Sequence, residues 1–205
     1  MKKILGTRDQ YYDQTNNAQV YLFDDYFKKK KMISCGPETF AMGLDNREWP
    51  MDVFTPGEQP GDSILMIAHN PFNLPKFKDV RDIDYDLYPP NEVPQLYPVI
   101  SKIIYNRDDV CEFRWGLTFD IIRDKIENDT CLMVSGSFPC GGHYVLIVGY
   151  DGDKIIFNDP YPPQWPDKNG YNRVMTQDFF EKNIKPNGYR IEIYPSPIYQ
   201  EALKL

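Results

Sequence analysis

At 205 residues the chain has the length of one compact domain with a sizeable core and is short for two. A hydrophobic fraction of 41% excludes compositional disorder, while 18 prolines imply much irregular surface. The net charge of −7 argues against a dedicated nucleic-acid binder, which needs clustered cations for phosphates.

In chain order, Met1-Lys2-Lys3 has the charge of a signal-peptide start, but its apolar part is only Ile4-Leu5 before Arg8 and Asp9. That is too short for a signal, so a cytoplasmic location is expected, with export of a trimmed form left open. No stretch has the apolar length of a membrane span; Tyr144–Val148 and Lys154–Phe157 read as strands. Lys28–Lys31 reads as a solvated connection, because Asp24 and Asp25 adjoin it. Phe40, Ala41 and Leu44 fall at helical spacing and predict a helix over Pro37–Asp45, with Pro37 suited to a first helical position.

Nine of the 18 prolines (50, 56, 60, 71, 75, 89, 90, 94, 98) fall between Asn46 and Val99. This predicts a long irregular excursion at about 46–99 on a single domain spanning 1–205, with short elements around Ser63–Ala68. Pro98–Tyr105 reads as a helix with Ile100, Ile103 and Ile104 on one face, and nearly as well as a strand. Thr118 is a plausible N-cap for a helix over Phe119–Glu127. Strands follow at Cys131–Ser135, His143–Tyr150, Lys154–Asn158 and Tyr189–Tyr194, and Thr176 caps a short helix, Gln177–Lys182. Helices first and antiparallel strands later make an α+β plan.

Four cysteines (Cys35, Cys111, Cys131, Cys140) lack a CxxC pair, and His69 and His143 are the only histidines. A structural zinc site is therefore not expected, nor a disulfide scaffold; buried, reduced thiols fit an intracellular chain. No cofactor is implied.

Thiol nucleophilic catalysis needs a stabilised thiolate, a histidine to exchange its proton and a group to fix the imidazole. Cys35 stands just before a predicted helix, whose N-terminus favours negative charge; a buried structural cysteine is the competing role. His143 opens a strand that is apolar on both faces. If a three-residue Asp151-Gly152-Asp153 loop or a bulge sets the register, Val145 stands opposite Asp159. His143 and Asp159 then become diagonal neighbours roughly 7–8 Å apart at the backbone. A two-residue Asp151-Gly152 turn would put Asp159 on the other face. Asn-Asp-Pro is also simply a common way to leave a strand.

The stretches "SCGPETFAMGL" and "GGHYVLIVGYDGDKIIFNDPY" together resemble the C39-like papain-fold cysteine peptidases. The resemblance implies a papain-like fold, a nucleophile-bearing helix packed on an antiparallel sheet, acting on peptide or protein substrates. It assigns Cys35 as nucleophile, His143 as general base and acid, and Asp159 as the orienting residue. "NGYNRVMTQDFF" resembles the family's closing strand and helix. "YYDQTNN" resembles the stretch that carries its oxyanion glutamine, which would be Gln14, with Gln10 and Gln19 as rivals and an exposed loop glutamine as the plain alternative. Glu38 stands where the family has Thr or Ser; it opposes thiolate formation unless it points outward. His69 is a fallback base, and Cys140 lacks a helix dipole. Amide hydrolysis through a thioester is expected. Acyl or peptidyl transfer by the same three residues, and a binding or inhibitory module without turnover, are the alternatives.

Overall fold

The longest apolar run of the chain forms the middle of one antiparallel sheet in the computed structural model, which describes residues 1–16, 35–54, 59–69, 94–184, 186 and 188–198. Its strands are β1 (Lys2–Ile4), β2 (Cys111–Trp115), β3 (Cys131–Phe138), β4 (Gly141–Asp151), β5 (Lys154–Asn158), β6 (Arg173–Thr176) and β7 (Tyr189–Ile193). They lie in the order β2-β7-β3-β4-β5-β6, and every pairing is antiparallel. β4 is buried on both faces from His143 to Tyr150, which is why its sequence does not alternate.

β1 takes the place beside β4 that β3 vacates. β3 pairs with β4 from Phe138↔Gly141 to Leu132↔Ile147, and β1 continues along the same edge from Ile4↔Gly149 to Lys2↔Asp151. Only glycine fits there, because a Cβ on Gly149 would lie 2.3 Å from the Lys3 carbonyl oxygen. Lys3 fastens the junction by pairing with Asp129 at 2.9 Å. The opening Lys-Lys-Ile is thus part of a strand.

The β4–β5 connection differs from the three-residue loop expected. Asp151 pairs with Lys154, so the turn is Gly152-Asp153, with Gly152 at φ +62° as a II′ hairpin turn requires. The pairing then slips by one residue between Ile147 and Gly149. This bulge restores the register that the turn alone would have lost, since Leu146 faces Asn158 and Val145 therefore comes opposite Asp159.

Five helices complete the described architecture: α1 (Cys35–Asn46), α2 (Pro60–His69), α3 (Leu96–Tyr105), α4 (Phe119–Glu127) and α5 (Gln177–Asn183). α1 is buried along nearly its whole length, lying against β3 and β4 on one side and α2 on the other. Thr39 Oγ1 donates to the Tyr144 carbonyl at 3.2 Å, which ties α1 to β4. Thr118 Oγ1 accepts from the Ile121 N–H at 3.2 Å and caps α4; Thr176 does the same for α5 through Phe179. The proline-rich stretch is described at 46–54, 59–69 and 94–99. It holds α2 and the start of α3, and Trp49, Phe54, Ile64 and Leu96 are buried in the core. Lys28–Lys31 lies outside the described residues. Among the described residues no helix is long and apolar enough to cross a membrane.

Candidate active site

Two histidine-adjacent glycines begin the site. Gly141 and Gly142 are exposed, and a Cβ on either would meet nothing within 4 Å; the next residue, His143, is 3% exposed. The strand therefore passes from open space into the core at the imidazole. The ring is held edge-on by Phe138 (5.6 Å between centroids) and Tyr161 (6.4 Å). Its Nε2 lies 2.7 Å from Asp159 Oδ1, so the bulge-corrected register does bring the two side chains together. Cys35 stands close enough to the ring to act on its pKa. Nε2 is engaged by the carboxylate, which leaves Nδ1 for the thiol.

Cys35 is the first residue of α1 and is buried. Its N–H is one of the amides a helix start leaves without an intrahelical acceptor, and negative charge is favoured there. For His143, burial pushes the imidazole pKa down, but hydrogen bonds from Asp159 and then Cys35, with their charges, outweigh it and raise the value to about 9.

Asp159 is fully buried and surrounded by donors. Oδ1 accepts from His143 and from the Tyr161 N–H at 2.8 Å; Oδ2 accepts from Gln164 Nε2 and from the Trp165 indole N–H at 2.7 Å. Its backbone is pinned as well, donating to the Gly170 carbonyl and accepting from the Tyr11 hydroxyl, both at 2.8 Å. Gln164 and Trp165 lie outside the motifs that single out Asp159 in the sequence. The available signal was chemical: a buried carboxylate needs donors, and an Asp commonly takes the N–H two residues on.

Gln14 opens a short 3₁₀ turn whose N–H donates to the Pro160 carbonyl at 2.9 Å, hanging it on the corner that carries Asp159. The side chain is 2% exposed, and neither amide atom has a hydrogen-bond partner. Such a buried orphan costs about 1–3 kcal/mol. The rival Gln10 has both amide ends committed, accepting from the Thr7 N–H at 2.9 Å and donating to the Asp45 carbonyl at 2.8 Å. Gln19 and the His69 side chain lie outside the described residues.

Glu38 does not point outward. It is fully buried, and α2 closes on it so tightly that a Cβ on Gly61 would sit 2.2 Å from its Oε1. All four thiols are free. Burial, with Asp159 and Cys35 behind it, pushes the Cys140 thiol up to about 11, and burial pushes Cys111 up to about 12. Both are therefore neutral at ordinary pH. Among the described residues no group of three or more His, Cys, Asp or Glu side chains could hold a metal ion.

Residues 88–189 match the model of the Peptidase_C39 like family. The match takes in His143 and Asp159 and stops short of Cys35 and Gln14. No curated protein matches the chain. A solved structure named as a C39-like peptidase, from Bacillus anthracis, is similar at a TM-score of 0.37 and 11% identity, over 49% of this chain and 57% of that one. The chain thus spans little more than half the length of that protein.

Proposed function

We propose, from the similarity of residues 88–189 to the Peptidase_C39 like family, that this chain is a cysteine peptidase cleaving amide bonds in peptides or proteins. The observation that carries the proposal is the buried His143–Asp159 pair, 2.7 Å apart, with Cys35 at a helix N-terminus close enough to the same ring to raise its pKa. A helix bearing the thiol, packed on an antiparallel sheet bearing imidazole and carboxylate, is a papain-like arrangement.

His143 Nδ1 takes the Cys35 proton, and the thiolate attacks the scissile carbonyl carbon. Charge passes to the carbonyl oxygen, where the Cys35 N–H and the unpaired Gln14 amide act as donors. Collapse expels the amine, which takes the proton from His143, and leaves a thioester on Cys35. Water, deprotonated by the same imidazole, then releases the acid. Asp159 keeps the ring in the tautomer and orientation these steps share. Cys35, His143, Asp159 and Gln14 are all buried, so substrate must displace whatever covers them.

Mass spectrometry of a peptide library after incubation tests the proposal. Wild type is expected to cut a subset of peptides that Cys35→Ser leaves intact. Identical spectra for the two proteins would overturn it.

A further inference from the structure

Asp159 is 0% exposed, and a buried carboxylate is tolerated only when its oxygens are filled by donors. A carboxylate offers about four lone-pair sites. Two, on Oδ1, go to His143 and the Tyr161 N–H. Oδ2 is filled entirely from one short stretch, by Gln164 Nε2 and the Trp165 indole N–H.

Both donors are themselves anchored. Gln164 Oε1 accepts from the Cys140 N–H at 3.4 Å, so its amide bridges the carboxylate to the β3–β4 turn that leads into His143. The Arg173 guanidinium lies 4.4 Å from the centre of the Trp165 ring and is paired with Asp167 at 2.7 Å. A cation over the indole holds it in place and strengthens its N–H as a donor.

Resting on the peptidase reading, we infer that Gln164 and Trp165 are positioning residues of the thiol relay. Their two donors fix the Asp159 carboxylate with Oδ1 toward His143, and this in turn fixes the imidazole with Nδ1 toward Cys35. With one donor removed, Oδ2 has an unfilled site and the carboxylate is free to turn. The imidazolium then loses support, and the thiolate–imidazolium pair forms only at higher pH. The other titratable groups facing Asp159 are Tyr11, from the N-terminal segment, and Cys140, from the β3–β4 turn; Cys35 stands beyond the ring. Tyr11 is raised far above neutrality and Cys140 to about 11, so a profile between pH 5 and 9 reads the Cys35–His143 pair.

The test is the rate of carbamidomethylation at Cys35 across that range, followed by peptide mapping, for wild type, Trp165→Phe, Gln164→Leu and, as the limit, Asp159→Asn. Trp165→Phe keeps a ring, though a smaller one, under Arg173 and deletes the N–H. In each positioning variant the midpoint is expected to move up by about one pH unit, making the rate on the acid side about tenfold lower, with the alkaline plateau unchanged. A wild-type profile that His143→Ala does not alter would overturn the peptidase reading and this inference with it. A wild-type profile that depends on His143, with both variants superimposed on it, would overturn the positioning role alone. The variants are read separately, so loss of folding in one leaves the other to decide; loss of folding in both assigns the pair to the fold and overturns the inference.

Discussion

His143 and Asp159 stand 16 residues apart in the chain and 2.7 Å apart in space, and a single extra residue in β4 makes the difference. The bulge between Ile147 and Gly149 converts a two-residue turn, which alone would face them to opposite sides, into a register that lets them meet.

The pair has a stability signature. The His143 pKa is raised from 6.5 to about 9, so the folded state binds the proton more tightly than the unfolded chain. That contribution is fully present below about pH 6.5 and is lost as pH rises through about 9. Urea midpoints should therefore fall between those values in wild type, and the fall should shrink in Asp159→Asn. A flat wild-type midpoint across the window would contradict the pairing.

Gln14→Ala separates oxyanion binding from thiol activation. Loss of one oxyanion donor costs about 10²–10³ in kcat, while the buried thiol keeps its partner His143. Peptide cleavage should drop by that range with Cys35 alkylation rates unchanged. Equal losses in both would place Gln14 in the fold instead.

Thr118→Ala removes the side-chain acceptor from the first turn of α4. Denaturant unfolding should show a loss of about 1 kcal/mol, and peptide cleavage should stay at the wild-type level, because α4 carries no residue of the site.

Gly149→Ala sets a methyl against the Lys3 carbonyl, 2.3 Å away, where backbone must shift. A loss of about 1–3 kcal/mol is expected, with hydrogen exchange accelerating first in β1. Wild-type protection of the Lys2–Leu5 amides in this variant would contradict the pairing of β1 with β4.

Much of this was legible in the sequence because it is local. The caps at Thr118 and Thr176, the apolar β4 and the placement of Cys35 at a helix start all follow from neighbours in the chain. The bulge was legible only as a requirement, since Val148 is apolar on a strand apolar on both faces and no residue marks the slip. β2 was missed because an edge strand reading Cys-Glu-Phe-Arg-Trp has one charged face and no flanking pattern. Glu38 shows the limit most clearly: its burial depends on Gly61 of another helix, a contact that no spacing within α1 encodes. The donors to Asp159 lie two, five and six residues beyond it, and only the demand of a buried carboxylate would have singled them out.

The most direct measurement is the competition among the four thiols for iodoacetamide at neutral pH, resolved by peptide mapping in wild type and in His143→Ala. Cys35 should be labelled first in wild type and should slow at least tenfold in the variant, since a thiolate supported by an imidazolium loses its partner. Labelling of Cys35 no faster than Cys140, and indifferent to the substitution, would contradict the relay.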